Sequence, residues 1–104
     1  MTIPITPLHT FVFEGVRTQV YSAAENEGLI PHQHSYEHLT VCYAGRCRVR
    51  IQDHPTVIEL SPQDQPLLLP RNRWHEITAL EDSTVFANMF SSLQVEYSLP
   101  IEGV

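Results

Sequence analysis

Gly28-Leu-Ile-Pro-His32-Gln-His34-Ser-Tyr-Glu-His38-Leu-Thr-Val-Cys-Tyr-Ala-Gly45 holds three of the chain's six histidines within seven residues. In an extended backbone side chains alternate, so His32 and His34 share a face and can grip one ion together. His38 follows a short kink and opens the next strand. A fourth histidine, His75, comes after Pro70-Arg71-Asn72-Arg73-Trp74, a turn that leads into a strand at about 74–79. Neutral imidazole suits divalent first-row metals, which makes His32, His34, His38 and His75 candidate ligands. His9 and His54 fall in no ligand pattern and read as ordinary structural histidines.

Outward from this stretch the chain is a succession of short strands. Runs rich in β-branched and aromatic residues occur at about 10–16, 17–23, 38–43, 46–51, 56–60, 66–69, 74–79 and 84–90, bounded by Gly, Pro, Asp or Asn. Helical periodicity is weak throughout. The regular spacing predicts an all-β sandwich or barrel. Only Ala44 and Gly45 separate the strands at 38–43 and 46–51, which reads as a tight hairpin with Tyr43 facing Arg46 and Cys42 facing Cys47. A cross-strand disulfide is then geometrically open, but two reduced, packed thiols are the expectation.

These residues resemble the cupin superfamily. Its first motif runs Gly, H-x-H, three or four residues, Glu, six residues, Gly; here His32-x-His34, three residues, His38, six residues, Gly45 follow that spacing. Its second motif ends P-x-G, two residues, His, which Pro70-x-Asn72-x-x-His75 is similar to, with Asn at a position where a left-handed backbone is tolerated. His38 stands where the family has Glu, and Glu37 lies one residue earlier. Gln63-Asp64 replaces the usual Gly-Asp, and Gly28 is closer to His32 than the pattern asks. The resemblance covers about 28–80, with motifs at about 28–45 and 60–80. It implies a single cupin domain over 1–104, a jelly-roll barrel (double-stranded β-helix), and one divalent metal (Fe, Ni, Cu or Zn) on the four histidines.

Composition narrows the partners. Formal net charge is −6 and six Arg supply all the basic side chains. That argues against nucleic acid, and the absence of Lys excludes Schiff-base chemistry. No apolar run approaches the ~20 residues of a membrane helix. Met1-Thr2-Ile3-Pro4 lacks a basic or apolar leader, so a cytoplasmic protein is expected. A homodimer is expected too, the N-terminal strand offering an edge.

Arg46, Arg48 and Arg50 share one strand face, which reads as solvated or, alternatively, as an anion clamp at the site. Tyr36, Tyr43, Trp74, Phe86, Met89 and Phe90 read as core. Four neutral imidazoles leave a bound divalent ion about two positive charges, which favours an anionic chelate. The function expected is therefore a metal-dependent oxygenase, lyase or isomerase acting on a small anionic or enolisable metabolite. Tyr36, Tyr43 and Glu37 are open as general bases, and none is assigned. The alternative is a non-enzymatic binding or sensory domain, because Leu60–His75 is also similar to the ligand-binding half of arabinose-type transcription activators.

Overall fold

A computed structural model describes residues 1–93 and the backbone of 99–100. Eleven strands are present among these: β1 (Ile3–Pro4), β2 (His9–Phe13), β3 (Val16–Ala23), β4 (Glu27–Gln33), β5 (His38–Ala44) and β6 (Cys47–Ile51). They continue with β7 (Ile58–Leu60), β8 (Leu67–Leu69), β9 (His75–Ala79), β10 (Thr84–Ser91) and β11 (Leu99–Pro100). One sheet runs β1-β4-β9-β6-β7, with β11 also on β4, and the other runs β2-β3-β10-β5-β8. Apart from the parallel pair β1–β4, every pairing is antiparallel. The result is the expected all-β jelly roll.

The inward side chains of the two sheets meet in one core that includes Tyr21, Cys42, Val49, Leu69, Ile77 and Phe86. Tyr21 and Phe86 stack at 4.9 Å, holding β3 and β10 in register. Burial is alternate on β5, where His38, Thr40 and Cys42 face in and Leu39 and Tyr43 face out. That alternation is the signature of a half-buried strand.

Three expectations are corrected. The run at 10–16 is interrupted, because Glu14 (φ 49°) and Gly15 (φ 78°) both turn left-handed and close a two-residue hairpin between β2 and β3. β4 is a full strand over 27–33, absent from the strand-like runs because Glu27, Gly28, Pro31, His32 and Gln33 dilute its β-formers. The hairpin at Ala44-Gly45 does not form: β5 pairs with β10 and β8, whereas β6 pairs with β9 and β7. This connection turns a corner from one sheet to the other. Gly45, at φ 71°, lies where an added Cβ would come within 2.4 Å of Thr84 Oγ1, so only glycine passes there. Cys42 and Cys47 therefore face each other across the core as free thiols, both kept neutral by burial, which pushes their pKa values up.

Candidate metal centre

The site is assembled from both sheets. A register irregularity between Leu29 and His32 on β4 brings His32 directly opposite His75 on β9. His34 follows one residue after β4 ends, and its carbonyl accepts a hydrogen bond from the Asn72 amide at 2.8 Å. Asn72 has φ 60°, so the left-handed turn expected of Pro70-x-Asn72 is what ties the two histidine-bearing segments together. His38 reaches in from β5 in the other sheet, level with Leu69 of β8. The side-chain nitrogens of His32, His34 and His75 lie within 4.8 Å of one another. His38 stands outside this tighter group and meets it through His75, Nε2 to Nε2 at 3.3 Å.

Each imidazole is oriented by what its other nitrogen touches. Nδ1 of His32 lies 2.8 Å from the Ile30 carbonyl, Nδ1 of His34 2.7 Å from that of Tyr36, and Nδ1 of His75 3.2 Å from that of Arg73. A carbonyl only accepts, so all three Nδ1 atoms carry the proton and leave Nε2 bare. The Nδ1 of His38 is 3.3 Å from the Thr40 hydroxyl, which in turn donates to Asn88 Oδ1 at 2.7 Å. With its single proton given to Asn88, Thr40 can only accept from His38, and the same tautomer follows.

Four imidazoles with bare Nε2 atoms thus lie in one cluster, their ring centroids 4.4–5.6 Å from their neighbours. Burial, reinforced by the neighbouring imidazoles, lowers the pKa of His38 to about 3 and that of His75 to about 2, and burial lowers those of His32 and His34. The set stays neutral at physiological pH, as metal ligation requires. Two ligand nitrogens ~2.0–2.1 Å from a shared ion stand roughly 3.0–3.4 Å apart, so the His38–His75 separation suits a common cation. The residues present fit a divalent metal.

A cavity of about 270 Å³ opens beside the cluster and is lined by His32, His34 and His38. Its lining also includes Gln19, Tyr21, Tyr36 and Asn88, with Ile5, Leu29 and Phe90 among the apolar residues. Gln19, Asn88 and Thr40 form one row across three adjacent strands on the inner face. They carry no recognisable motif. The one legible signal was Phe86-x-Asn88-x-Phe90, whose alternation aims an amide into an apolar face. Desolvation raises the Tyr21 pKa to about 12, so its phenol is a hydrogen-bond donor rather than a base.

Other candidates lie elsewhere. Glu37 is exposed, 3.9 Å from Arg71, and Tyr43 is exposed on the outer face. Glu76 points away from the histidines, taking a hydrogen bond from Thr2 and an ion pair from Arg50. Arg46 pairs with Glu59 and Glu81, and Arg50 sits over the Trp74 ring. Neither they nor Arg48 line the cavity, so the arginine face is the outward one. His54 is an exposed residue bonded to the Thr56 carbonyl, apart from the cluster.

No family model and no curated protein matches the sequence. Solved structures do match in fold. A cupin 2 domain-containing protein from Halorhodospira halophila superposes with a TM-score of 0.76 at 17% identity, covering 91% of this chain and 69% of that one. A structure from work on DMSP lyases gives 0.70 at 21% identity, covering 86% and 46%. The QdtA 3,4-ketoisomerase from Thermoanaerobacterium thermosaccharolyticum gives 0.66 at 20%, covering 88% and 68%. The chain has the fold of the small cupin domains, and identities this low carry the fold alone.

Proposed function

We propose that this chain is a metal-dependent cupin enzyme, with one divalent transition metal on His32, His34, His38 and His75 and a small anionic or enolisable metabolite as substrate. The observation that carries it is the common tautomer: four clustered histidines, each with Nε2 freed by an anchored Nδ1, of which His32, His34 and His38 line a cavity with room for a small molecule. A metal so held supplies Lewis acidity and a template for a chelating substrate. Around it, Tyr21 and the amides of Gln19 and Asn88 supply neutral hydrogen bonds, and Leu29 and Phe90 restrict water. Among the described residues the lining has no Arg or Lys, so the ion is the strong attraction there for an anion. The chemistry expected is lyase, isomerase or oxygenase; the DMSP lyase and ketoisomerase neighbours lend support to the first two. Two buried, unpaired thiols suit a cytoplasmic setting.

One observation favours a second reading, a non-enzymatic binder: among the described residues lining the cavity there is no carboxylate to act as a base. The test is elemental analysis of protein purified without added metal, then oxygen uptake and product analysis on a panel of small hydroxy acids, keto acids and diketones. About one metal per chain is expected, lost in His34→Ala and His75→Ala and kept in His54→Ala. Equal metal in all three variants sinks the site; metal with tight ligand binding and no turnover favours the binder.

A further inference from the structure

Two primary amides stand side by side in the cavity lining. Gln19 on β3 and Asn88 on β10 are direct cross-strand partners, and both line the cavity beside the histidines. Opposed residues on one sheet face have Cβ atoms roughly 4.5–5.5 Å apart, so one small group can touch both. Gln19 is half-buried, and Asn88 is only 4% exposed.

An amide accepts at one end and donates at the other, so what it recognises depends on which end is already engaged. In both residues it is the oxygen. Asn88 Oδ1 accepts from the Thr40 hydroxyl at 2.7 Å, and Gln19 Oε1 accepts from the Tyr21 phenol at 3.3 Å. These orientations are held from behind. The Thr40 oxygen takes the Nδ1 proton of His38, so turning the Asn88 amide over would leave the hydroxyl proton facing an N–H. Tyr21 is fixed by its stack on Phe86, with ring centroids 4.9 Å apart and planes 15° from parallel. The pair therefore keeps its NH2 ends for a ligand, and through Thr40 one of them belongs to the same hydrogen-bond chain as His38.

We propose that Gln19 and Asn88 are the specificity-determining pair of the site and that its ligand is a small keto acid. The carboxylate goes to the metal and the carbonyl oxygen to the two NH2 groups. This rests on the metal-dependent reading above and narrows its substrate class. A carbonyl oxygen has two lone pairs and no proton, so it can take one N–H from each amide. An ammonium group in that place meets donors, and among the described residues the lining has no carboxylate to match it. A second carboxylate would be desolvated there without a cationic side chain beside it, whereas a carbonyl needs donors alone.

The test is calorimetric titration of the full chain, with and without Ni(II), against three probes that share one chain length and one carboxylate: pentanoate, the γ-keto acid levulinate and the corresponding γ-amino acid. Ni(II) is a metal that accepts imidazole. With Ni(II) bound, levulinate is expected to bind about 10-fold or more tightly than pentanoate, as two net hydrogen bonds imply, and the amino acid more weakly than pentanoate. Gln19→Glu and Asn88→Asp each exchange an NH2 for a carboxylate oxygen at nearly the same volume. Each should cut the keto preference to about 2-fold or less and lift the amino acid above pentanoate. Gln19 is half-buried, so its variant keeps the test open where the buried Asn88→Asp fails to fold. Equal affinity for levulinate and pentanoate, or a keto preference that survives Gln19→Glu, overturns the proposal and leaves the metal site standing. Pentanoate that binds equally with and without Ni(II) overturns the metal-bound anion itself, and this proposal with it.

Discussion

His38 and His75, from opposite sheets, hold their Nε2 atoms 3.3 Å apart with both Nδ1 atoms engaged elsewhere. Two lone pairs facing each other repel unless a cation or a proton lies between them. This contact brings a bare nitrogen from each sheet together, and it makes the site sensitive to anything that alters either tautomer.

Thr40 and Asn88 are the first such lever. Thr40→Val removes the hydroxyl acceptor of the His38 Nδ1 proton and so weakens the preference for that tautomer. Metal affinity is expected to fall by about 10–100-fold, the usual cost of losing an outer hydrogen-bond partner. Nitrogen NMR of the metal-free protein checks the cause: His38 should read Nδ1–H in the parent and a mixture in the variant. An unchanged His38 spectrum with unchanged affinity would remove Thr40 from the site.

Acid should unfold the metal-free protein earlier than an ordinary domain. Folding lowers the pKa values of His38 and His75, mainly by burial, to about 3 and about 2, so below the unfolded value of 6.5 the unfolded chain binds more protons than the native one. Stability is then complete above pH 6.5 and falls as pH drops, by on the order of 3 kcal/mol between pH 6.5 and 5 for the two together. Urea titrations at pH 7.5, 6 and 5 measure it. His75→Gln and His38→Gln should each flatten the slope, and a slope identical in all three proteins would contradict the assignment.

Replacing His38 by Glu keeps a ligand at the same inward position and adds a negative charge. Divalent metal should still bind, but an anionic chelator should lose affinity relative to a neutral one, because the ion's net charge falls by about one unit. Calorimetric titration of both chelators into the two metal-loaded proteins reads the ratio. An unchanged ratio would mean that the charge of the site does not select its ligand.

Gly45→Ala tests the corner between β5 and β6. The added methyl meets Thr84 at 2.4 Å from Oγ1 and 2.9 Å from Cα, on a backbone at φ 71°. A loss of about 2–4 kcal/mol is expected in denaturant unfolding, from strain and clash together. Gly15→Ala, also at positive φ but with open space around it, should cost only about 1 kcal/mol.

What the sequence determined by itself was local and periodic. Alternation of two put His32 and His34 on one face, and strand-like runs between turn residues made the chain all-β. The motif Pro70-x-Asn72-x-x-His75 carried its left-handed turn in the identity of Asn72. The family's spacing to Gly45 also favoured His38 over Glu37; in the structure His38 is buried and Glu37 is exposed. The tertiary structure decided what depends on partners distant along the chain. Whether Ala44-Gly45 makes a hairpin or a corner turns on whether β5 and β6 find each other or find β10 and β9, and both outcomes satisfy the same local signals. The cavity's pairing of Gln19 with Asn88 and the Thr40 bridge to His38 exist only once three strands lie in register. No window of sequence contains them, because hydrogen-bonded pairing, not chain proximity, brings position 19 beside position 88 and position 88 beside position 40.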